Sequence, residues 1–196
     1  LHQNSILMKY LVLAIIIFLN VNCHAQNPCE FSSDVNDSIG SYKNTKDYLI
    51  YERNFAGNSA YIYFSLALTD GLPTLNAQFI QKSKDFIKAN CFDKNSRAYL
   101  QLDNGKIVTL LHINQEDCGT TVRTGEGFNN RILQGIFLFT KDAFEELKSS
   151  PVSLMRIKYT TETIDYVIKS QVISEMDGKT YQPDSYFINT IHCLDN

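Results

Sequence analysis

An unbroken apolar run, Ile136 to Phe139, leads with almost no linker into a short helical segment and then an alternating strand. No other stretch constrains the fold as tightly. Four consecutive apolar residues suit a strand covered on both faces, so this run is expected at the centre of a sheet. Thr140 stands where a hydroxyl caps a helix, while Asp142 in the first turn and Lys148 in the last complement the helix dipole. The helix is expected over residues 141–149, with Ala143, Phe144 and Leu147 on one stripe, and Pro151 stops it. Val152 to Tyr159 then alternates. Met155, Ile157 and Tyr159 fall on one side, and Val152, Leu154, Arg156 and Lys158 on the other.

Residues 1–25 read as a secretory leader, with Lys9 before an apolar core from Tyr10 to Leu19 and Cys-His-Ala before Gln26. The start before Met8 looks non-native, and Cys23 is a lesser alternative as a lipidation site. The apolar core is too short to span a bilayer comfortably, and no transmembrane helix is expected once the leader is removed. Residues 26–196 then form a single disulfide-stapled domain, exported to the periplasm or beyond the cell. Formal net charge is −3 for the whole chain and one unit more negative without Lys9, which argues against nucleic acid but leaves room for a local basic patch. Beyond the leader stand Cys29, Cys91, Cys118 and Cys193, an even set that in an exported chain favours two disulfides.

A polar lead-in to Lys46 precedes two antiparallel strands, Asp47–Arg53 and Ser59–Leu68, turning around Gly57 and Asn58. On the second, Ala60, Ile62, Phe64, Leu66 and Leu68 share one face, and Tyr61 and Tyr63 the other. After the turn Thr69–Pro73, Leu75, Ala77 and Phe79 favour a strand over a helix. Asn104-Gly105 between Arg97–Leu102 and Lys106–Ile113 predicts a two-residue type I′ hairpin. Facing residue numbers would then sum to 209, setting Cys91 opposite Cys118 and leaving Cys29 for Cys193. In an ideal ladder Cys91 would occupy a hydrogen-bonded pair, where side chains stand farther apart. Gln115–Asn130 reads as a polar loop, Ile164, Tyr166 and Ile168 as one face of a strand, Asp177-Gly178 as a turn, and Pro183–Leu194 as a C-terminal helix. The expected fold class is α+β, mostly antiparallel sheet with these two helices; a β-sandwich with short helices is the alternative.

The phrases YFSLALTDGLPTLNAQ (Tyr63–Gln78), AYLQLDNGKIVTL (Ala98–Leu110) and FTKDAFEELKSSPVSLMRIKY (Phe139–Tyr159) resemble small secreted proteins of Bacteroidetes. The resemblance implies export and supplies no catalytic residue.

Chemistry is thinly signalled. Beyond the leader the histidines are His112, on the hairpin, and His192, beside Cys193, and neither has a second ligand at zinc spacing. Thr124-Gly125-Glu126-Gly127 lacks the lysine of a phosphate loop, and no GxSxG or cofactor motif occurs. Arg156 is expected to pair with Asp165 across a hairpin. Tyr48, Tyr51, Tyr61 and Tyr63, with Tyr42, suggest an aromatic face for a protein or an envelope glycan. The leading expectation is an exported non-enzymatic binding domain. The alternatives are an envelope hydrolase using His112 or His192, and an inhibitor or immunity-type protein acting through the Gln115–Asn130 loop.

Overall fold

The computed structural model describes residues 28–113 and 116–195, so the expected leader and Cys23 lie outside the described residues. The lead-in is not irregular: β1 (Phe31–Asn36) and β2 (Ser41–Thr45) pair as a hairpin. A meander follows, of β3 (Tyr48–Phe55), β4 (Asn58–Thr69) and β5 (Leu72–Ser83). Its turns, Ala56-Gly57 and Asp70-Gly71, take positive φ at both positions, 50° and 79° in the first and 48° and 80° in the second. This primed geometry follows the twist of the flanking strands. Next come β6 (Arg97–Leu102), β7 (Ile107–His112), β8 (Thr120–Arg123) and β9 (Asn129–Phe139). Helix α1 (Lys141–Leu147) leads into β10 (Val152–Lys158) and β11 (Thr163–Val167). A separate small ribbon, β12 (Val172–Ile173) and β13 (Thr180–Tyr181), turns at Asp177-Gly178. The C-terminal helical stretch forms as expected but in three pieces: Pro183–Ser185 and Ile191–Leu194 are 3-10 turns on either side of α2 (Tyr186–Thr190).

One antiparallel sheet runs β1-β2-β4-β5-β9-β7-β6-β10-β11, with β3 also on β4 and β8 also on β9. Two long strands make this fork possible. β4 gives Asn58–Phe64 to β3 and Ala67–Thr69 to β2, and β9 gives residues 129–132 to β8 and 137–139 to β7. The sheet curls until its early strands face its late ones. Tyr51 on β3 meets Tyr166 on β11 with ring centroids 5.2 Å apart, and Phe79 on β5 lies 6.1 Å from Tyr159, which directly follows β10. The α+β expectation is therefore corrected towards its sheet-rich alternative, because the sheet's apolar face is covered mostly by the sheet itself and helix is confined to two short segments. Among the described residues no helix is long and apolar enough to cross a membrane.

Strand β9 lies mid-sheet, but only one face of it is covered: Leu133, Gly135 and Phe137 are buried while Ile136 is 45% exposed. Gly135 permits close packing there, since a Cβ would come within 2.8 Å of both the Phe92 and the Phe137 ring. Thr140 is extended, as a cap residue should be, yet its hydroxyl makes no capping bond; its carbonyl accepts from the Phe144 amide instead. On β10 a bulge between Val152 and Leu154 turns Val152 inward, against the simple alternation.

The hairpin register also differs. β6 and β7 pair as Leu100 with Val108 and Ala98 with Leu110, one residue from the expected alignment. Leu102 accepts from the Gly105 amide and donates from its own to the Lys106 carbonyl, and of the loop residues only Gly105 takes positive φ (84°). This is a three-residue loop ending in a left-handed glycine rather than a two-residue type I′ turn. Burial decides the matter: the observed register buries Val108 and Leu110 and leaves Ile107 66% exposed, and a one-residue slip would invert that. Beyond Ser96 the alignment moves again, and Phe92 pairs with Asp117. Because Phe92 and Asp117 exchange both backbone hydrogen bonds (2.7 and 3.1 Å), Cys91 and Cys118 fall at the closer, non-hydrogen-bonded pair. Their Cα atoms are 4.0 Å apart and the disulfide forms; Cys29–Cys193 is the other bridge.

Candidate binding site in the open half of the curled sheet

The inner face has two halves along the strands. One is filled by the C-terminal helical stretch, where Tyr186 and Phe187 lie 5.8 and 6.0 Å from the Phe64 ring and Phe187 lies 6.3 Å from Phe139. Among the described residues the other has no such plug. There the strand register sets Arg53, Ala60, Gln81 and Arg131 side by side across β3, β4, β5 and β9, one alternation beyond the buried row Ile62, Phe79 and Leu133. With Tyr159, Ile164 and Tyr166 from the opposing strands and Asn90 from the loop before Cys91, they line a hollow of about 200 Å³.

Its polar groups are incompletely satisfied. Arg131 Nη2 donates to the Cys118 carbonyl at 2.5 Å and Nη1 to the Thr121 hydroxyl at 3.1 Å, which fixes the guanidinium. Its Nε is buried and has no partner, and the same is true of Asn90 Oδ1. Neither Arg53 nor Arg131 has a carboxylate partner among the described residues. Asp165 at the rim is already engaged: Arg156 donates to both its oxygens at 2.6 and 2.7 Å, as the hairpin predicts, and this holds the Asp165 carboxyl below its usual range. The Tyr159 and Tyr166 hydroxyls lie 3.1 Å apart and share one hydrogen bond, leaving the pair one further O–H to donate. Burial pushes the Tyr166 phenol up to about 12, eased by its bond to Tyr159, and pushes Tyr159 higher still, so both stay protonated donors.

The Cys91–Cys118 bridge supports both walls. The Cys118 carbonyl anchors Arg131, while the Cys91 carbonyl accepts from the amide and the hydroxyl of Thr160, next to Tyr159. Asn90 immediately precedes the bridge.

The expected tyrosine face does not exist as one surface. Tyr51 lies on the inner face in the open half. Tyr48 packs in the filled half against Tyr181 and Tyr186, its hydroxyl accepting from the Gln182 amide at 2.8 Å. Tyr61 and Tyr63 stand on the opposite side of the sheet, with hydroxyls directed to Asn54 Oδ1 (3.1 Å) and Met176 Sδ (3.4 Å). Alternation along β4 and a bulge between Leu49 and Tyr51 on β3 divide the set. Tyr42 is on the edge hairpin, 38% exposed.

The histidines are packed. His112 stacks on Phe92 at 4.9 Å, and its Nδ1 lies 3.0 Å from the Asp93 carbonyl, which favours the Nδ1–H tautomer. Burial lowers its pKa. His192 Nε2 sits 3.4 Å from Cys29 Sγ and 3.7 Å from Cys193 Sγ. These three are the one trio of metal-ligating type gathered among the described residues, but the disulfide occupies both sulfurs and leaves a single imidazole donor. Thr124-Gly125-Glu126-Gly127 is the turn of the β8–β9 hairpin, with the Thr124 amide donating to the Phe128 carbonyl at 2.8 Å, so the expected long loop contains a paired strand, Thr120–Arg123.

Arg131 and Asn90 are absent from the sequence-based expectations. Extending the alternation of Phe137, Gly135 and Leu133 backwards would have placed Arg131 on the core face, which is an unusual position for arginine. No family model, curated protein or solved structure matches the chain.

Proposed function

We propose that this chain is an exported, non-enzymatic binding domain that takes a group from an envelope component or a protein into the open half of its curled sheet. The observation that carries this reading is the pair of buried polar atoms without partners, Arg131 Nε and Asn90 Oδ1, in a hollow flanked by guanidinium groups that lack carboxylates. Buried polar groups are nearly always satisfied, and here two unpaired atoms, a donor and an acceptor, belong to residues lining one hollow, which supports a partner from outside the fold. Two disulfides in one domain accord with an oxidising compartment, as do the leader-like residues 1–25 and the likeness to small secreted proteins of Bacteroidetes. The packed histidines give the hydrolase reading no support from geometry.

The test is retention of bacterial envelope fractions, glycan and protein separately, on the immobilised, oxidised chain. Retention that disappears in both Arg53→Gln and Arg131→Lys while near-UV circular dichroism is unchanged is the expected result. Equal retention by both variants, or turnover of the retained material, would remove the proposal.

A further inference from the structure

We infer that the group taken into the hollow is a carboxylated sugar, of the size of one hexuronic acid unit. This rests on the binding reading above and adds the ligand's chemistry. The guanidinium of Arg131, fixed by Cys118 and Thr121 and with a buried Nε that lacks a partner, is a flat donor array of the shape a planar carboxylate meets with paired, charge-assisted hydrogen bonds. Arg53 stands three strands away on the same row and adds positive charge, while Asp165 is already tied to Arg156.

A bare acid would leave half of the site unanswered. Asn90 Oδ1 needs a donor and the Tyr159–Tyr166 pair offers one, so the ligand must bring hydroxyl groups able to donate and to accept. The Tyr51 and Tyr166 rings supply apolar wall for the C–H faces of a sugar ring. A volume of about 200 Å³ fits one such unit and excludes a folded partner's bulk, so the remainder of a polymer would lie outside. Phosphate is disfavoured because its second charge would lack a contacting cation beyond the one fork. Nucleic acid is disfavoured because the chain's formal net charge of −3 leaves no basic surplus to hold a polyanion.

The experiment is a two-dimensional NMR titration of the oxidised chain with sodium glucuronate, glucose, acetate and N-acetylglutamate as separate probes. Saturable shifts confined to Arg131, Asn90 and the Tyr159–Tyr166 pair are expected with glucuronate. Glucose and acetate should each bind about tenfold more weakly or worse, as loss of one charged or several neutral hydrogen bonds requires. Arg131→Lys keeps the charge but not the fork and should weaken glucuronate by about tenfold, and Tyr166→Phe, which removes one hydroxyl and no bulk, should weaken it by a smaller factor. Glucose binding as well as glucuronate, glucuronate binding unchanged in Arg131→Lys, or N-acetylglutamate binding as tightly as glucuronate would each overturn the inference; the last would point to an acidic peptide. If glucuronate fails while envelope retention still depends on Arg53 and Arg131, the sugar-acid inference falls and the binding reading stands.

Discussion

The two halves of the inner face are built from the same strands and finished in opposite ways. Around Phe64 the chain supplies its own lid, and Tyr48, Tyr186 and Phe187 close the space with aromatic contact. Around Phe79 and Leu133 the strands run on to Arg53, Ala60 and Arg131, and among the described residues no helical segment fills the space between them and the opposing wall. Each half has its own disulfide, but they serve differently. Cys29–Cys193 ties the beginning of the described chain to the C-terminal stretch that forms the lid, across 164 residues of sequence. Cys91–Cys118 spans 27 residues and presents two backbone carbonyls to the walls of the hollow. One half is thus closed by the chain's own C-terminal stretch and the other is left open, although the first also borders a hollow and holds one buried polar atom without a partner, the Tyr186 hydroxyl.

The contrast predicts a hierarchy of effects. Replacing Cys29 and Cys193 together with serine should cost about 5 kcal/mol, against about 3.5 kcal/mol for Cys91 and Cys118, both upper values from loop-closure entropy. Urea midpoints measure this. Ligand retention should separate the pairs the other way, surviving loss of the first bridge in the fraction that stays folded and failing with the second. Equal retention in both would erase the distinction between the halves. Next in size, Phe187→Ala should cost about 3–5 kcal/mol because a fully packed ring leaves a cavity in the lid. Arg53→Gln, at the exposed rim of the hollow, should change stability by less than about 0.5 kcal/mol. A comparable cost for the arginine would mean that the open half is structural. Tyr63→Ala, on the opposite face and outside the lining of the hollow, should leave retention unchanged.

The smallest effect concerns pH. His112 packs against Phe92, behind the hollow, and burial depresses its pKa below the ordinary 6.5. The unfolded chain therefore takes the proton first as pH falls. The contribution is fully present above about pH 6.5 and declines progressively below it, as the unfolded state becomes charged. His112→Asn keeps a side-chain donor for the Asp93 carbonyl and should flatten urea stability between pH 6.5 and 5. A slope unchanged in this variant would assign the dependence elsewhere.

Much of the fold is written in local pattern. The alternation of β4, the strand–helix–strand unit from Ile136 to Tyr159, the Arg156–Asp165 pair and the cysteine partners all follow from spacing. What local pattern missed was set by tertiary context. Asn104-Gly105 has the composition of a type I′ turn, yet burial of Val108 and Leu110 selected a different loop, while the primed turn formed at Ala56-Gly57, where Ala is an unfavourable residue for it. The cysteine pairing survived an incorrect register because a second shift before Cys91 restored the alignment. The candidate site was the least legible part. Arg131 sits in a stretch whose composition, Asn129-Asn130-Arg131, resembles loop, and only its long pairing with β5 and β8 makes it strand. Tyrosine count, by contrast, suggested one face where alternation makes two.

The fork in the sheet has a kinetic consequence. β4, β5 and β9 form a spine whose neighbouring ladders are each carried on part of a longer strand. A short branch such as β8 can detach without disturbing the spine, whereas the spine cannot open unless all branches have gone. Amide hydrogens of Leu75 and Ala77 should therefore exchange with solvent deuterium only through whole-molecule opening, and those of Thr121 and Val122 through fraying of a single hairpin. Arg131 bonds to Thr121, on that fraying branch, and to Cys118, which the disulfide holds, so the wall of the hollow has one fastening on the part of the molecule that breathes first and one on a covalent anchor.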